Sequence, residues 1–183
     1  MIKSNNIIAR DMLIMLRECK GKKLEFLLRA EIGKQTSFEV VILRFKEYDL
    51  EIWSLEQPDK EGGVPDLAKI IVKKNPAKDS PCPLGKYGEN GEVLPGDFTK
   101  KPIGKVISGI TVYNELVRWT NEYGSFLLAN TYAIVISLGE RYLHIVKDIY
   151  WTEEWDVSFS RSPVPKKPDF DEDEKVSYSS FEL

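Results

Sequence analysis

Phe38-Glu39-Val40-Val41-Ile42, followed by Tyr48 and Ile52, returns as Tyr132-Ala133-Ile134-Val135-Ile136, followed by Tyr142 and Val146. Each stretch reads as half of a β-hairpin. Each is also preceded by Gly-Lys (Gly21-Lys22 and Gly104-Lys105) and a further apolar run, a pattern that two related β-rich half-units joined in one fold would produce. The identities at matched positions are Val41/Val135, Ile42/Ile136 and Tyr48/Tyr142. Two unrelated hairpins obeying the same period-two burial rule would share such lettering, and that is the simpler explanation of the echo.

Outward from the first hairpin, Leu24 to Glu31, Ser37 to Phe45 and Tyr48 to Leu55 read as an antiparallel meander broken at Gly33 and Lys46-Glu47. Val40 to Leu43 is apolar throughout and suits a strand covered on both faces, whereas Tyr48 to Ile52 alternates and suits one wet face. Ala68 to Val72 is a further short strand. In the second half, Gly104 to Tyr113, then Leu116 to Trp119, lead to a turn at Asn121 to Ser125. Phe126 to Leu138 and Arg141 to Lys147 flank Gly139-Glu140, where glycine at the first central position suits a type II′ turn. Trp155 to Ser160 alternates large apolar with small polar residues and is the last clear strand.

Before the first meander, Ile8, Met12, Met15, Leu16 and Cys19 recur at helical spacing. Ser4 or Asn5 is the expected cap and Gly21 the stop. The fold class expected is therefore α+β, mostly antiparallel β with an N-terminal helix packed on the sheet. Residues 1–161 form a single domain with half-units 1–74 and 104–161. The connecting stretch 75–103 holds five prolines and four glycines and is read as irregular, with Asn90-Gly91 as the tip of a small hairpin. Residues 162–183 are a proline-rich, acidic tail. Its end, Val176 to Leu183, either adds to a sheet edge or stays disordered, and disorder is preferred. The spacing Pro165-Lys166-Lys167-Pro168 suits a polyproline groove but is read as a spacer.

The chain has 183 residues, a net charge of −3, 42% hydrophobic and 30% charged residues, which is ordinary for one globular domain. No apolar run approaches the roughly 20 residues of a membrane-spanning helix, so no membrane span is expected. The tail from Ser162 carries six acids and three lysines, leaving 23 acids and 23 bases elsewhere. A neutral body offers no cationic stripe for phosphates, so nucleic acid is not an expected partner. Cys19 and Cys82 are read as free thiols in a cytoplasmic protein.

No sequence pattern commits to a chemistry. His144 is the one histidine, without a nucleophile elbow or further imidazoles to make a triad or a zinc site. It is read as a solvated or cross-strand residue. Neither a dinucleotide fingerprint nor a Walker motif occurs, and the acidic run at 169–174 lacks the glycine and terminal glutamate of a calcium loop. No catalytic residue, cofactor or metal is therefore expected. The candidate contact surface is Trp151, Glu153, Glu154, Trp155 and Asp156, an acidic turn between tryptophans that would suit protein recognition if the rings are exposed.

With its N-terminal helix, β-meander, scattered tryptophans and acidic balance, the chain resembles in style the small cytoplasmic immunity proteins encoded beside bacterial toxins. The resemblance implies a non-catalytic protein-binding module that occludes a toxin, its acidic residues facing a basic cleft. The competing expectations are a structural or oligomeric subunit, and a small-ligand protein or enzyme with a pocket between half-units built from Tyr48, Trp119, Tyr142 and His144. Oligomeric state is left open by the sequence.

Overall fold

The structure, a computed structural model, describes residues 2–31, 40–57, 67–77, 85–87, 93–95, 97–121, 124–147, 155–168 and 175–183. In chain order these form β1 (Ile2–Asn6), α1 (Arg10–Arg17), β2 (Lys23–Glu31), β3 (Val40–Arg44), β4 (Tyr48–Gln57), β5 (Leu67–Pro76), β6 (Gly85–Tyr87), β7 (Val93–Pro95), β8 (Asp97–Val106), β9 (Gly109–Asn121), β10 (Gly124–Ser137), β11 (Tyr142–Lys147), β12 (Trp155–Ser160) and β13 (Lys175–Glu182). The first large sheet has the order β5-β4-β3-β2-β8 and the second the order β12-β11-β10-β9-β13, with β1 also on β10; β6 and β7 pair separately. All pairings but the β1–β10 one are antiparallel. Among the described residues there is one eight-residue helix, and the architecture is mostly antiparallel β, as expected.

Each large sheet is a four-stranded meander closed by a later strand that returns beside the meander's first strand. The hairpins of the opening echo, β3–β4 and β10–β11, occupy equivalent places in this plan. Their registers, however, differ from the lettering. The turns close through Phe45 N–H to the Tyr48 carbonyl (2.9 Å) and Leu138 N–H to the Arg141 carbonyl (2.8 Å). Superposing those bonds sets Val41 against Ile134, Leu43 against Ile136, Leu50 against Leu143 and Ile52 against Ile145. All eight side chains belong to the core between the sheets. Matching Val41 to Val135 is one residue out, which exchanges the two faces of a strand.

That core is built from the inner faces of both sheets, with Leu16 and Cys19 from α1 and the turn after it. The outer faces carry smaller apolar clusters, Leu28, Val40 and Ile42 on the first sheet and Tyr132, Ala133 and Val146 on the second. Val40 to Leu43 is buried on both faces as expected. The expected wet face of β4 is absent: Asp49 is 4% exposed and Glu51 7%. Asp49 takes a bidentate ion pair from Arg44 (2.8 and 2.7 Å), while Glu51 accepts from Trp53 Nε1 (2.9 Å) and Asn75 Nδ2 (2.8 Å). Such partners offset the desolvation that would otherwise forbid buried carboxylates.

Three expected element boundaries move. Residues 2–6 form a strand in place of a helix cap, because the first half of the 14-residue β10 has no β11 beside it and β1 pairs along that side. Asn5 Oδ1 instead accepts the Ile7 N–H, and α1 starts after Ala9, which gives no side-chain cap. Residues 97–106, expected within an irregular stretch, form a ten-residue edge strand whose Lys100, Lys101 and Pro102 disguise it; these are edge residues. Residues 175–182, where disorder was the preferred expectation, pair with β9. β6 and β7 pair antiparallel, and the Asn90-Gly91 tip expected between them lies outside the described residues.

The turn chemistry at Gly139 is as expected, with φ at +83° and nothing within 4 Å of a built Cβ. Backbone strain is thus the only cost a side chain brings there. Gly139→Ala is expected to lower stability in urea unfolding by about 1–2 kcal/mol, while Glu140→Ala at the exposed neighbour changes it by less than about 0.5 kcal/mol. Equal effects at the two positions would contradict the primed turn.

Candidate functional site

Of the residues expected to form a contact surface, Trp151, Glu153 and Glu154 lie outside the described residues. Trp155 and Asp156 lie on β12 and point to opposite sides. Asp156 is exposed, but Trp155 is 0% exposed and sits in the core between the sheets. The Trp155 ring is therefore packing, not contact surface. Its position follows from β12 alternation, which buries Trp155 and Val157 and exposes Asp156 and Ser158.

The residues of the pocket alternative are likewise dispersed. Tyr48 is buried in the inner core, stacked on Phe45 at 4.7 Å, whereas Trp119 stacks on Phe126 at 5.0 Å in a separate cluster. His144 is 4% exposed, with Nε2 2.8 Å from the Ser162 carbonyl oxygen, so that nitrogen donates. A groove of about 410 Å³ does lie beside the β3–β4 turn, lined by Glu25, Phe26, Arg44, Lys46 and Lys100 among others. Two of its cations are engaged: Arg44 holds Asp49, and the Lys100 ammonium lies 3.9 Å from the centre of the Phe26 ring. Among the described residues no group of three or more His, Cys, Asp or Glu is placed to hold a metal ion.

A buried polar cluster gathers where β10 carries a bulge between Thr131 and Ala133. Asn130 donates to Glu115 (2.8 Å), Thr131 donates to Asn114 (2.7 Å) and accepts the Ile8 N–H (3.0 Å). Lys147, 1% exposed, hydrogen-bonds across the sandwich to the Ala68 carbonyl of β5. Burial pushes the Lys147 ammonium down to about 8, the Glu115 carboxylate opposing it. Sequence gave no sign of this lysine, since Lys at a strand end reads as solvated.

What distinguishes the second sheet is its edge. β5 carries Lys69, Lys73 and Lys74, and β8 carries Lys100, Lys101 and Lys105, all exposed. Lysines on an edge discourage further strands. β1 and β12 are short, and across β12 the first sheet reaches over: Arg29 donates to the Val157 carbonyl (3.4 Å) and Lys101 lies 4.2 Å from the Phe159 ring centre. β13 differs. Between Lys175 and Glu182 it reads Val176-Ser177-Tyr178-Ser179-Ser180-Phe181, uncharged, with Ser177, Ser179, Ser180 and Phe181 exposed.

The direction of its backbone follows from one bond. Leu183 N–H donates to the Ile110 carbonyl at 2.9 Å, and the register pairs Phe181 with Val112 and Ser179 with Asn114. In an antiparallel ladder the bonded residues alternate, so Ser177, Ser179 and Phe181 address β9. Val176, Tyr178, Ser180 and Glu182 then turn their N–H and C=O groups to the other side, where no strand is paired among the described residues.

Burial of the Lys147 ammonium makes the stability of the fold depend on pH. The folded chain binds fewer protons than the unfolded chain between about pH 8 and the ordinary lysine value of 10.5, so stability rises with pH in that window. Below it the buried charge costs on the order of 3 kcal/mol. Burial raises the Tyr48, Tyr132 and Cys19 hydroxyls and thiol, which act oppositely above pH 9 to 10. Urea midpoints of the wild type should therefore gain on those of Lys147→Met from pH 8 to pH 10. Parallel profiles would contradict the buried charge.

Comparison of the chain with protein-family models, with curated proteins and with solved structures finds no match.

Proposed function

We propose that this protein is a non-catalytic protein-binding module that takes a partner strand along the open edge of β13. The observation that carries the reading is the contrast between that edge and the others. An extended peptide adding to a sheet gains main-chain hydrogen bonds along its length, and its side chains supply specificity. Four residues of β13 direct backbone groups outward, the strand lacks edge lysines along six residues, and Phe181, 37% exposed, offers an apolar anchor.

An immunity protein that occludes a toxin in the cytoplasm is one form of this reading, the toxin supplying the strand. The acidic turn proposed to face a basic cleft is at the other side of the same sheet: Asp156 on β12 is separated from β13 by three strands. A single added strand would not touch both. The second reading is a homo-oligomer in which two β13 edges pair about a two-fold axis, as an antiparallel edge permits.

Ser180→Pro tests the edge directly. It removes one outward N–H and crowds an incoming strand while leaving the bonds to β9 in place. Affinity chromatography from extracts of the producing cells, followed by titration of the purified partner, should show a loss of at least tenfold for Ser180→Pro and little change for Ser180→Ala, about 1.4 kcal/mol or more. Light scattering of the protein alone separates the homo-oligomer, which the same substitution should dissociate. Undiminished binding and unchanged mass in Ser180→Pro would sink the reading.

A further inference from the structure

We infer that the tyrosine-lined outer face of the second sheet is a docking surface for a proline-rich extended peptide, which the chain's own Arg161–Pro168 segment occupies in cis. The surface is built from four strands of the sheet. Tyr113 on β9, Tyr132 on β10 and Tyr178 on β13 meet edge to face, with ring centres 6.1 Å (Tyr113–Tyr132) and 5.6 Å (Tyr132–Tyr178) apart. Val146 on β11 joins the same cluster, and His144 lies one pleat along that strand.

The segment crossing this face is held in the manner of a bound ligand. His144 Nε2 donates to the Ser162 carbonyl (2.8 Å), Tyr113 Oη donates to the Pro163 carbonyl (2.9 Å), and the Lys167 ammonium lies 4.3 Å from the centre of the Tyr178 ring. Pro165 and Pro168 are buried while Val164, Lys166 and Lys167 are exposed. Pro165 and Pro168, three residues apart, are the two side chains of the segment that the face buries, the spacing at which a polyproline II helix with three residues per turn repeats. Within the segment Ser162 Oγ accepts the Val164 N–H (3.1 Å) and donates to the Val164 carbonyl (3.2 Å), while the Ser162 and Pro163 carbonyls are taken by side-chain donors of the face, an imidazole and a phenol. Aromatic-lined grooves read such ligands in this way.

The contacts do not depend on the segment belonging to this chain. Two are to backbone carbonyls, one is a cation over a ring, and the buried side chains are prolines; a second peptide with prolines three apart and a basic residue between them satisfies all of them. Tethering gives the cis segment an effective concentration near millimolar, so a free peptide must displace it. The PxxP segment, expected to be a mere spacer, is thus the occupant that keeps the face closed. This inference is independent of strand addition at β13: failure of either leaves the other standing.

The test uses the full chain and a synthetic peptide of residues 161–168, labelled for fluorescence anisotropy. The wild type is compared with a variant carrying Pro165→Gly and Pro168→Gly, which loosens the cis segment. The loosened variant should bind the peptide at least tenfold more tightly than the wild type. Adding Tyr113→Phe and Tyr178→Ala should remove at least tenfold of that affinity, and a peptide of the same composition with its prolines adjacent should not bind. A folded loosened variant that binds no better than the wild type, or binds both peptides alike, would overturn the inference. Should the glycine variant not fold, the peptide is added in excess to the wild type and the Tyr113 and Tyr178 ring signals are followed by NMR. Shifts at both rings support displacement, and rings unmoved at millimolar peptide count against it.

Discussion

Hydrogen-bonding groups run along both sides of every β-strand, and a sheet can end only where one of those sides is guarded, covered or left to water. Nearly everything distinctive about this protein follows from how its sheet edges are closed. The first sheet ends on lysine-bearing strands. The second has β12 under Arg29 and Lys101 of the first sheet, and β1 fills the half of β10 that β11 does not reach. β13 is the edge whose middle six residues, Val176 to Phe181, carry no charge, and the functional reading rests on it.

The same constraint accounts for the polar groups inside. Where β10 changes partners it bulges, and the freed positions are occupied by Asn114, Glu115, Asn130 and Thr131, bonded to one another. Lys147 crosses from the second sheet to a carbonyl of β5. Removing a lysine from water is costly, and the Ala68 carbonyl across the sandwich offsets part of that cost. The apolar core between Val41, Ile52, Ile134 and Ile145 supplies the driving force.

In the second meander the Gly139-Glu140 hairpin was legible from its turn glycine and Trp155 to Ser160 from its alternation, and both stand where the pattern puts them. The echo found the right pair of hairpins but the wrong residue match, since β3 and β10 are buried on both faces and a run of apolar residues carries no phase. β8 and β13 were obscure for a related reason. Edge strands are made of lysine, proline and serine, the residues that also mark loops. The candidate site was correspondingly hard to see. Sequence favoured tryptophans as contacts, yet Trp155 is core, while the open edge consists of small polar residues whose backbone, not side chains, would do the binding.

The most direct measurement is residue-resolved amide hydrogen exchange along β13. If this strand is paired on one side and open on the other, Ser177, Ser179, Phe181 and Leu183 exchange slowly and Val176, Tyr178, Ser180 and Glu182 exchange fast, alternating residue by residue. Uniform protection would mean that the edge is covered, and uniform fast exchange that the strand is not paired to β9; either would contradict an open edge built to receive another strand.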